Sequence, residues 1–368
     1  MEDKFPFADE LGPVKIVHIS LREAGLRAVV VVDNTACGPA IGGVRMAADV
    51  SAEEAGRLAR AMTLKNAAAG LPHGGGKSVI WADPKMPSRD KELLIRAFAA
   101  AIAGLKEYIP GPDMGTDELA MGWVYDEIGR AVGLPRELGG IPLDELGATG
   151  FGLAAAIDVA CNAINIELKG ARIAIQGFGA VGKHTARLLA QKGCVLVACS
   201  DSRGTLFSVD GLEAPALISL KDAGKSVTDF PHGKKSDPES IIDVPCDIWV
   251  PAARSDVLTM ENAGRLRARI VAQGANIPCT TEAEAILEAR GVLVLPDFIA
   301  NAGGVICASA EYHGSTESAA FSTIEEKIRQ NTGLVIEESR SAGVPTRKAA
   351  IALATGRIRN AQRTRRWR

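Results

Sequence analysis

Hydrophobic and polar residues alternate from Val14 onward and then run unbroken through Ala28, Val29, Val30, Val31 and Val32, predicting two strands between Val14 and Asp33, near the centre of a sheet. Residues 38–43 read as a Gly/Pro-rich turn. Helical spacing follows over 52–69, with Ser51 as N-cap, Glu54 three positions on completing a capping box, and Gly70 as the stop. The next segment, GLPHGGGK from Gly70 to Lys77, holds three consecutive glycines, expected to lie outside any regular element, with a short strand after them at 79–82. Helices are predicted over 90–105 and 117–131, the first closed by breaker-rich residues 109–112, and residues 133–143 read as a linker.

Beyond that linker the pattern becomes an alternation of buried strands and helices: helix 151–164, strand 171–176, helix 180–191, strand 194–200. Short apolar runs at 248–251, 270–272 and 292–296 suit strands of a parallel sheet covered on both faces. Helices over 322–341 and 346–359 close the chain, and no solenoid repeat is visible. The expected fold class is α/β in two domains. One is an N-terminal α/β substrate domain, residues 1–143 completed by C-terminal helices 320–368. The other is a Rossmann-type doubly wound domain over 144–319.

The 368 residues suffice for two cores, and 42 basic against 44 acidic residues leave a net charge of -2, so no global field gathers nucleic acid. Arg357, Arg359, Arg363, Arg365, Arg366 and Arg368 crowd the C-terminus, as a basic helix end or as an RNA or subunit contact. Seven scattered cysteines without a C-x-x-C pair read as reduced core thiols, and no metal site is expected. The early acidic residues of MEDKFPFADELG and the lack of a long apolar stretch predict a cytoplasmic protein with no membrane partner.

The strand at 171–176 runs directly into Gly177-Phe178-Gly179-Ala180-Val181-Gly182, and the following strand ends at Asp201, 19 residues after Gly182. In this dinucleotide fingerprint the first glycine turns the chain, the second admits a pyrophosphate, the third packs helix on strand, and the helix N-terminus attracts phosphate. Asp201 is placed to accept from a ribose 2′-hydroxyl, which favours NAD, while Arg203 offers a partner for the 2′-phosphate of NADP.

Two lysines stand out in the first half, Lys65 within a helix and Lys77 behind the glycine triplet. Desolvation lowers a lysine's pKa toward the range of a general base, which makes Lys77 the candidate base, with a chance surface lysine as the plain alternative. A phosphate loop fails on spacing, because its first glycine would fall at Leu71. Asp113, set among breakers in PGPDMGT, is either a capping residue or a proton relay to Lys77.

These blocks resemble the glutamate/leucine/phenylalanine/valine dehydrogenase superfamily over nearly the whole chain: GPAIGGVRM, MTLKNAAAGLPHGGGKS, GPDMGT, ATGFG, IQGFGAVG, GANIPCT and PDFIANAGGV, in that order. The resemblance implies NAD(P)-dependent oxidative deamination of an L-amino acid to a 2-oxo acid and ammonia by a homo-oligomer. By matching position, Lys65 pairs with the α-carboxylate, Lys77 activates water and Asp113 shuttles protons to the amine nitrogen. Gly42, Gly43, Ile41, Val305, Ala308 and Asn301 then border the substrate. Thr149, Ala252, Asn276 and Asn301 join the fingerprint glycines and Asp201 around the cofactor.

Glutamate enzymes of the superfamily usually carry a lysine where this chain has Ile41 and a serine where it has Ala308, and both replacements remove partners of a side-chain carboxylate. An unpaired buried carboxylate costs several kcal/mol, whereas an apolar side chain gains roughly 0.8 kcal/mol per CH₂. The expected substrate is therefore of the leucine/valine/phenylalanine type. The alternatives are a glutamate dehydrogenase in which Arg45 or Lys106 reaches the pocket, and a non-catalytic NAD-binding sensor. Cys307 departs from the commoner leucine-type block, where asparagine is frequent. The expected site lies in a cleft whose closure desolvates Lys77.

Overall fold

The computed structural model describes residues 8–365; the acidic first residues and the last two arginines of the basic tail, Arg366 and Arg368, lie outside the described residues. The chain divides into two compact units. Unit 1 takes in residues up to Leu143, with Val305–Ala320 and the chain from Leu353 onward, and unit 2 takes in Asp144–Gly304 and Phe321–Ala352.

Unit 1 is built on a five-stranded sheet in the order β1-β2-β4-β3-β5. Its elements are β1 (Lys15–Leu21), β2 (Leu26–Asn34), β3 (Ala40–Ala47), α1 (Ala52–Ala68), β4 (Gly74–Trp81), α2 (Ser88–Ala101), β5 (Tyr108–Pro112) and α3 (Glu118–Ile128). β2 is antiparallel to β1 and β4, and β3 is parallel to β4 and β5. The unbroken valine run of β2 has a direct cause, since both faces of the sheet are covered. Val29 and Val31 pack with Ala55 and Ala59 of α1. Val30 and Val32 join a second cluster with Phe98 of α2 and Met121 of α3.

Unit 2 follows with α4 (Leu143–Leu146), α5 (Ala148–Ala163), β6 (Arg172–Gln176), α6 (Ala180–Gln191), β7 (Val195–Asp201), β8 (Gly204–Phe207), α7 (Ala214–Asp222), β9 (Lys234–Ser236), β10 (Ile248–Pro251), β11 (Ile270–Ala272), α8 (Thr281–Ala289), β12 (Leu293–Leu295) and α9 (Asp297–Ala300). Its seven strands are ordered β12-β11-β10-β6-β7-β8-β9. The first five are mutually parallel and β8 and β9 add antiparallel edges. This is the expected Rossmann-type sheet. The order reverses at β6, and crevices for ligands open at such a switch point. Three helices end the chain, α10 (Gly303–Tyr312), α11 (Glu317–Ala342) and α12 (Thr346–Arg363).

Several expectations are corrected. Residues 38–43 do not form a simple turn, since Gly42 and Gly43 belong to β3, and the glycine triplet lies inside β4. A Cβ on Gly75 would lie 2.0 Å from the Thr63 nitrogen, and one on Gly74 would lie 1.7 Å from the Asn34 carbonyl oxygen. The glycines therefore permit close approach by α1 and β2 within a regular strand. Residues 109–112 form most of β5, where Pro110 and Pro112 are tolerated because β5 pairs on one side only.

Glu54 completes half of the expected capping box: its N–H donates to Ser51 Oγ, and its carboxylate turns to Arg45 instead. The C-terminal helices are shared, with Phe321–Ala352 in unit 2 and Val305–Ala320 in unit 1, where 320–368 and 144–319 had been expected as blocks. β8 and β9 were not expected; β9, Lys-Lys-Ser, is wholly exposed and carries no apolar signal, whereas β8 is a largely buried strand of only four residues. Six cysteines are buried as expected, and Cys37 is half-buried. In the basic tail, Arg357 donates to the carbonyls of Ala67 and Ala68 at the end of α1, a favourable place for a cation. Among the described residues, no helix is long and apolar enough to cross a membrane.

Candidate functional site

In unit 1, Lys77 sits in the middle of β4 with its side chain 7% exposed, and Asp113 follows the last residue of β5. Lys77 Nζ is 2.5 Å from Asp113 Oδ2, and Arg45 Nε donates to the same oxygen at 3.0 Å. Arg45 in turn pairs with Glu54, so four ionisable side chains form a chain of alternating sign. Gly43 makes the pair possible, because a Cβ there would fall 2.7 Å from Asp113 Cβ and 3.1 Å from Lys77 Nζ.

Burial lowers the Lys77 pKa from its ordinary 10.5, with the positive charge of Arg45 adding to the effect, although Asp113 pulls the other way. Burial would raise Asp113, but Lys77 and Arg45 outweigh it and hold the carboxyl below 3.8. The expected direction for Lys77 is therefore found, by way of a covered strand and not a loop. Beneath the pair, Tyr108 donates to the Gly42 carbonyl at 2.8 Å and lies 2.7 Å from Ser78 Oγ, which fixes β3, β4 and β5 together. Lys65 is half-buried on α1 between Thr63 and Asn66, and Asn66 donates to the Gly74 carbonyl at 2.6 Å.

Two residues from Gly43 along β3, Ile41 packs with Ile109, Val132 and Ala308 in a buried apolar cluster. Register places Ile41 opposite Ile109 and Gly43 opposite Gly111, and alternate residues of a strand share a face. The apolar group and the Lys77–Asp113 pair thus lie on one face. Val305 is half-buried three positions before Ala308 on α10. Neither suspected cation joins the cluster: Arg45 is held by Asp113 and Glu54, and Lys106 is exposed at the far end of β5 from Asp113. Arg130 spends its donors on the carbonyls of Ile102, Leu105 and Tyr108. Ile109 and Val132 were missed from the sequence because neither lies within a motif.

In unit 2 the fingerprint glycines act as three distinct devices. Gly177 has φ +89° and stands against Ala253, where a Cβ would come within 2.7 Å. A Cβ on Gly182 would fall 2.0 Å from the Gly177 carbonyl oxygen, and one on Gly179 would meet nothing. Space over Gly179 at the start of α6, with Ala180 exposed, Val181 half-exposed and no side-chain cap, fits a pyrophosphate on free N–H groups. Phe178 is buried in support. A cavity of about 1100 Å³ opens there, lined by Gln176, Gly179, Asp201, Lys221, Ala252 and Arg254 among others. A dinucleotide therefore fits these residues.

Asp201 departs from expectation. Its carboxylate already accepts from Lys221 Nζ, Ser226 Oγ and the N–H groups of Val227 and Arg203, at 2.8 to 3.0 Å. Burial alone would raise its pKa; these donors bring it down to about 2. Its charge is balanced within the protein, so it opposes a 2′-phosphate less than a bare carboxylate would. Arg203 pairs with Asp229, and Lys221, the cation that meets Asp201, lines the cavity together with Arg254 and Arg265. Lys221 left no sequence signal, because it stands on α7, twenty positions beyond Asp201.

A second group gathers at the start of α5. Asn301 donates through Nδ2 toward the carbonyls of Gly274 and Ala275 and Oδ1 of Asn276. Its own Oδ1 is buried without a hydrogen-bond partner among the described residues, an acceptor suited to a ligand N–H. A Cβ on Gly303 would lie 3.1 Å from Thr149 Cα, and one on Gly274 3.2 Å from Ala252 Cβ, so Thr149, Asn301 and Ala252 converge within the unit.

Comparison with known proteins bears on this arrangement. Residues 139–366 match the family model described as Glutamate/Leucine/Phenylalanine/Valine dehydrogenase, and residues 13–130 match the one described as Glu/Leu/Phe/Val dehydrogenase, dimerisation domain. Glutamate dehydrogenase of Aeropyrum pernix is 39% identical over 91% of this chain and 85% of its own length. The NAD-specific glutamate dehydrogenase of Staphylococcus aureus is 35% identical with the same coverage. Among solved structures, hetero-hexameric glutamate dehydrogenase of Thermus thermophilus, in a leucine-bound form, is similar at a TM-score of 0.85 and 30% identity, over 96% of this chain and 90% of that one. L-tryptophan dehydrogenase of Nostoc punctiforme is similar at 0.76 and 27%, over 96% and 98%.

Proposed function

Because the chain belongs to the glutamate/leucine/phenylalanine/valine dehydrogenase family, and is thus an NAD(P)-dependent amino acid dehydrogenase acting on CH–NH₂, we propose that its substrate is an L-amino acid with an apolar side chain. The observation that carries this reading is the buried apolar cluster of Ile41, Ile109, Val132 and Ala308, with Ile41 two residues along β3 from the glycine that stands against the Lys77–Asp113 pair. The curated relatives named above are glutamate dehydrogenases, which makes glutamate the competing substrate. Family membership in an enzyme class sets the sensor reading aside.

In the proposed reaction Lys65 pairs with the substrate α-carboxylate. Lys77, whose pKa burial lowers, takes a proton from the water that attacks the imino carbon, and Asp113 carries protons to and from the amine nitrogen. Thr149, Asn301, the Gly177–Gly182 turn and Lys221 hold the dinucleotide. When bound, it supplies the hydride acceptor for the substrate Cα. The products are a 2-oxo acid and ammonia. We further propose an oligomer of identical chains, to be checked by light scattering of the purified protein; the hetero-hexameric relative supports the assembly and not the identity of its subunits.

Reductive amination with ammonia and NADH, then NADPH, tests the substrate. Turnover of 4-methyl-2-oxopentanoate, 3-methyl-2-oxobutanoate or phenylpyruvate above that of 2-oxoglutarate is the expected result, and the reverse order defeats it. Ile41→Lys combined with Ala308→Ser restores both carboxylate partners. It should move kcat/KM toward 2-oxoglutarate by at least about a hundredfold, the scale of a buried charge gaining its partner.

A further inference from the structure

Glu311 lies on α10, one turn beyond Ala308, and is 8% exposed. Its Oε1 accepts from the Leu134 N–H at 3.1 Å and its Oε2 from the Ile141 N–H at 2.8 Å. One carboxylate thus ties together both ends of the segment read from the sequence as a linker.

That segment starts at the apolar pocket. Val132 donates its N–H to the Pro110 carbonyl at 2.9 Å and packs against Ile41, Ile109 and Ala308. A Cβ on Gly111 would lie 3.0 Å from Val132 Cγ2, so side chain and strand are in contact. Gly133, at φ +70°, stands against the Pro112 ring, where a Cβ would come within 2.5 Å, next to Asp113. Gly140 folds back on Leu134, where a Cβ would fall 1.7 Å from the carbonyl oxygen. A buried acceptor with two backbone donors holds its partners far more firmly than an apolar contact would.

We propose that Glu311 is a positioning residue for substrate selection: by pinning residues 134 and 141 it fixes Val132 as a wall of the side-chain pocket and sets the size of side chain accepted. The pocket's apolar character comes from the substrate reading above, and this inference rests on it. No contact of Glu311 with substrate is implied.

The test uses full-length protein and the series 2-oxobutanoate, 3-methyl-2-oxobutanoate and 4-methyl-2-oxopentanoate, with NADH affinity and melting temperature measured alongside. For Glu311→Ala, kcat/KM for 4-methyl-2-oxopentanoate relative to 2-oxobutanoate should fall at least tenfold, through KM. Its kcat on 2-oxobutanoate and its NADH affinity should stay within about threefold of wild type. Glu311→Gln keeps one acceptor oxygen and should fall between the two. Should Glu311→Ala fail to fold, Glu311→Gln and Val132→Ala, which alters the wall directly, must shift the same ratio. A lower melting temperature with an unchanged ratio overturns the proposal. If wild type prefers 2-oxoglutarate, the apolar reading fails by itself. In that case a Glu311→Gln shift in the ratio of 2-oxoglutarate to 2-oxobutanoate still supports the positioning role, and an unchanged ratio overturns it.

Discussion

Asp113 receives two cations on a single oxygen, and that arrangement decides how the proposed base behaves. The positive charge of Arg45 lowers the pKa of both Asp113 and Lys77. Arg45→Met should therefore raise both, and the acid limb of the kcat/KM profile should move to higher pH; a limb that stays in place would detach Arg45 from the proton chemistry. Lys77→Ala should reduce kcat by about 10² to 10⁴, the usual contribution of a general base, while NADH binding measured by fluorescence stays within twofold. Equal loss of both would place Lys77 in a structural role.

At the scale of elements, glycines in strand β4 and in the turn before α6 look alike in sequence and differ in what surrounds them. Gly75 is pressed against the α1 backbone, and Gly179 faces open space. Gly75→Ala should destabilise the protein by about 2 to 3 kcal/mol, the cost of overpacking against backbone, and displace Lys77 two residues on. Gly179→Ala should leave the melting temperature unchanged and weaken NADH binding at least tenfold by obstructing the pyrophosphate. Paired thermal and binding measurements on both variants separate the two cases; a stable Gly75→Ala would show that α1 can yield.

For the whole molecule, pH dependence of stability follows from groups whose pKa differs between folded and unfolded chains. Burial, chiefly, brings His73 from 6.5 down to about 4, and its Nε2 has no hydrogen-bond partner among the described residues. The folded state then binds fewer protons than the unfolded chain between those values. Stability is full above pH 6.5 and falls as pH drops through about 4, by on the order of 3 kcal/mol. Asp201, lowered to about 2, adds a further loss as pH falls from 3.8 toward 2. Urea unfolding between pH 7 and 4 should show the first decline, and His73→Phe should flatten it. An unchanged slope in the variant would assign the decline elsewhere.

The sequence alone determined whatever depends on neighbours along the chain. Strands β6, β7, β10 and β11, helices α6 and α12, and the three glycines of the dinucleotide turn were all legible, because periodicity and turn chemistry are local. Lys77 and Asp113 were legible too, through motif and resemblance. Only tertiary structure decided that GGG and PGP are strand and not loop, since glycine and proline are judged locally as breakers and here answer to close backbones and an edge position. Contact likewise determined that Asp201 is already satisfied, that Lys221 faces the cavity, and that Ile109 and Val132 stand beside Ile41. Glu311 lies 170 positions from Ile141, and no local pattern encodes a hydrogen bond across that distance. Residues brought together by folding share an energy without sharing a stretch of chain, and that is why the pocket wall had to be read from the structure.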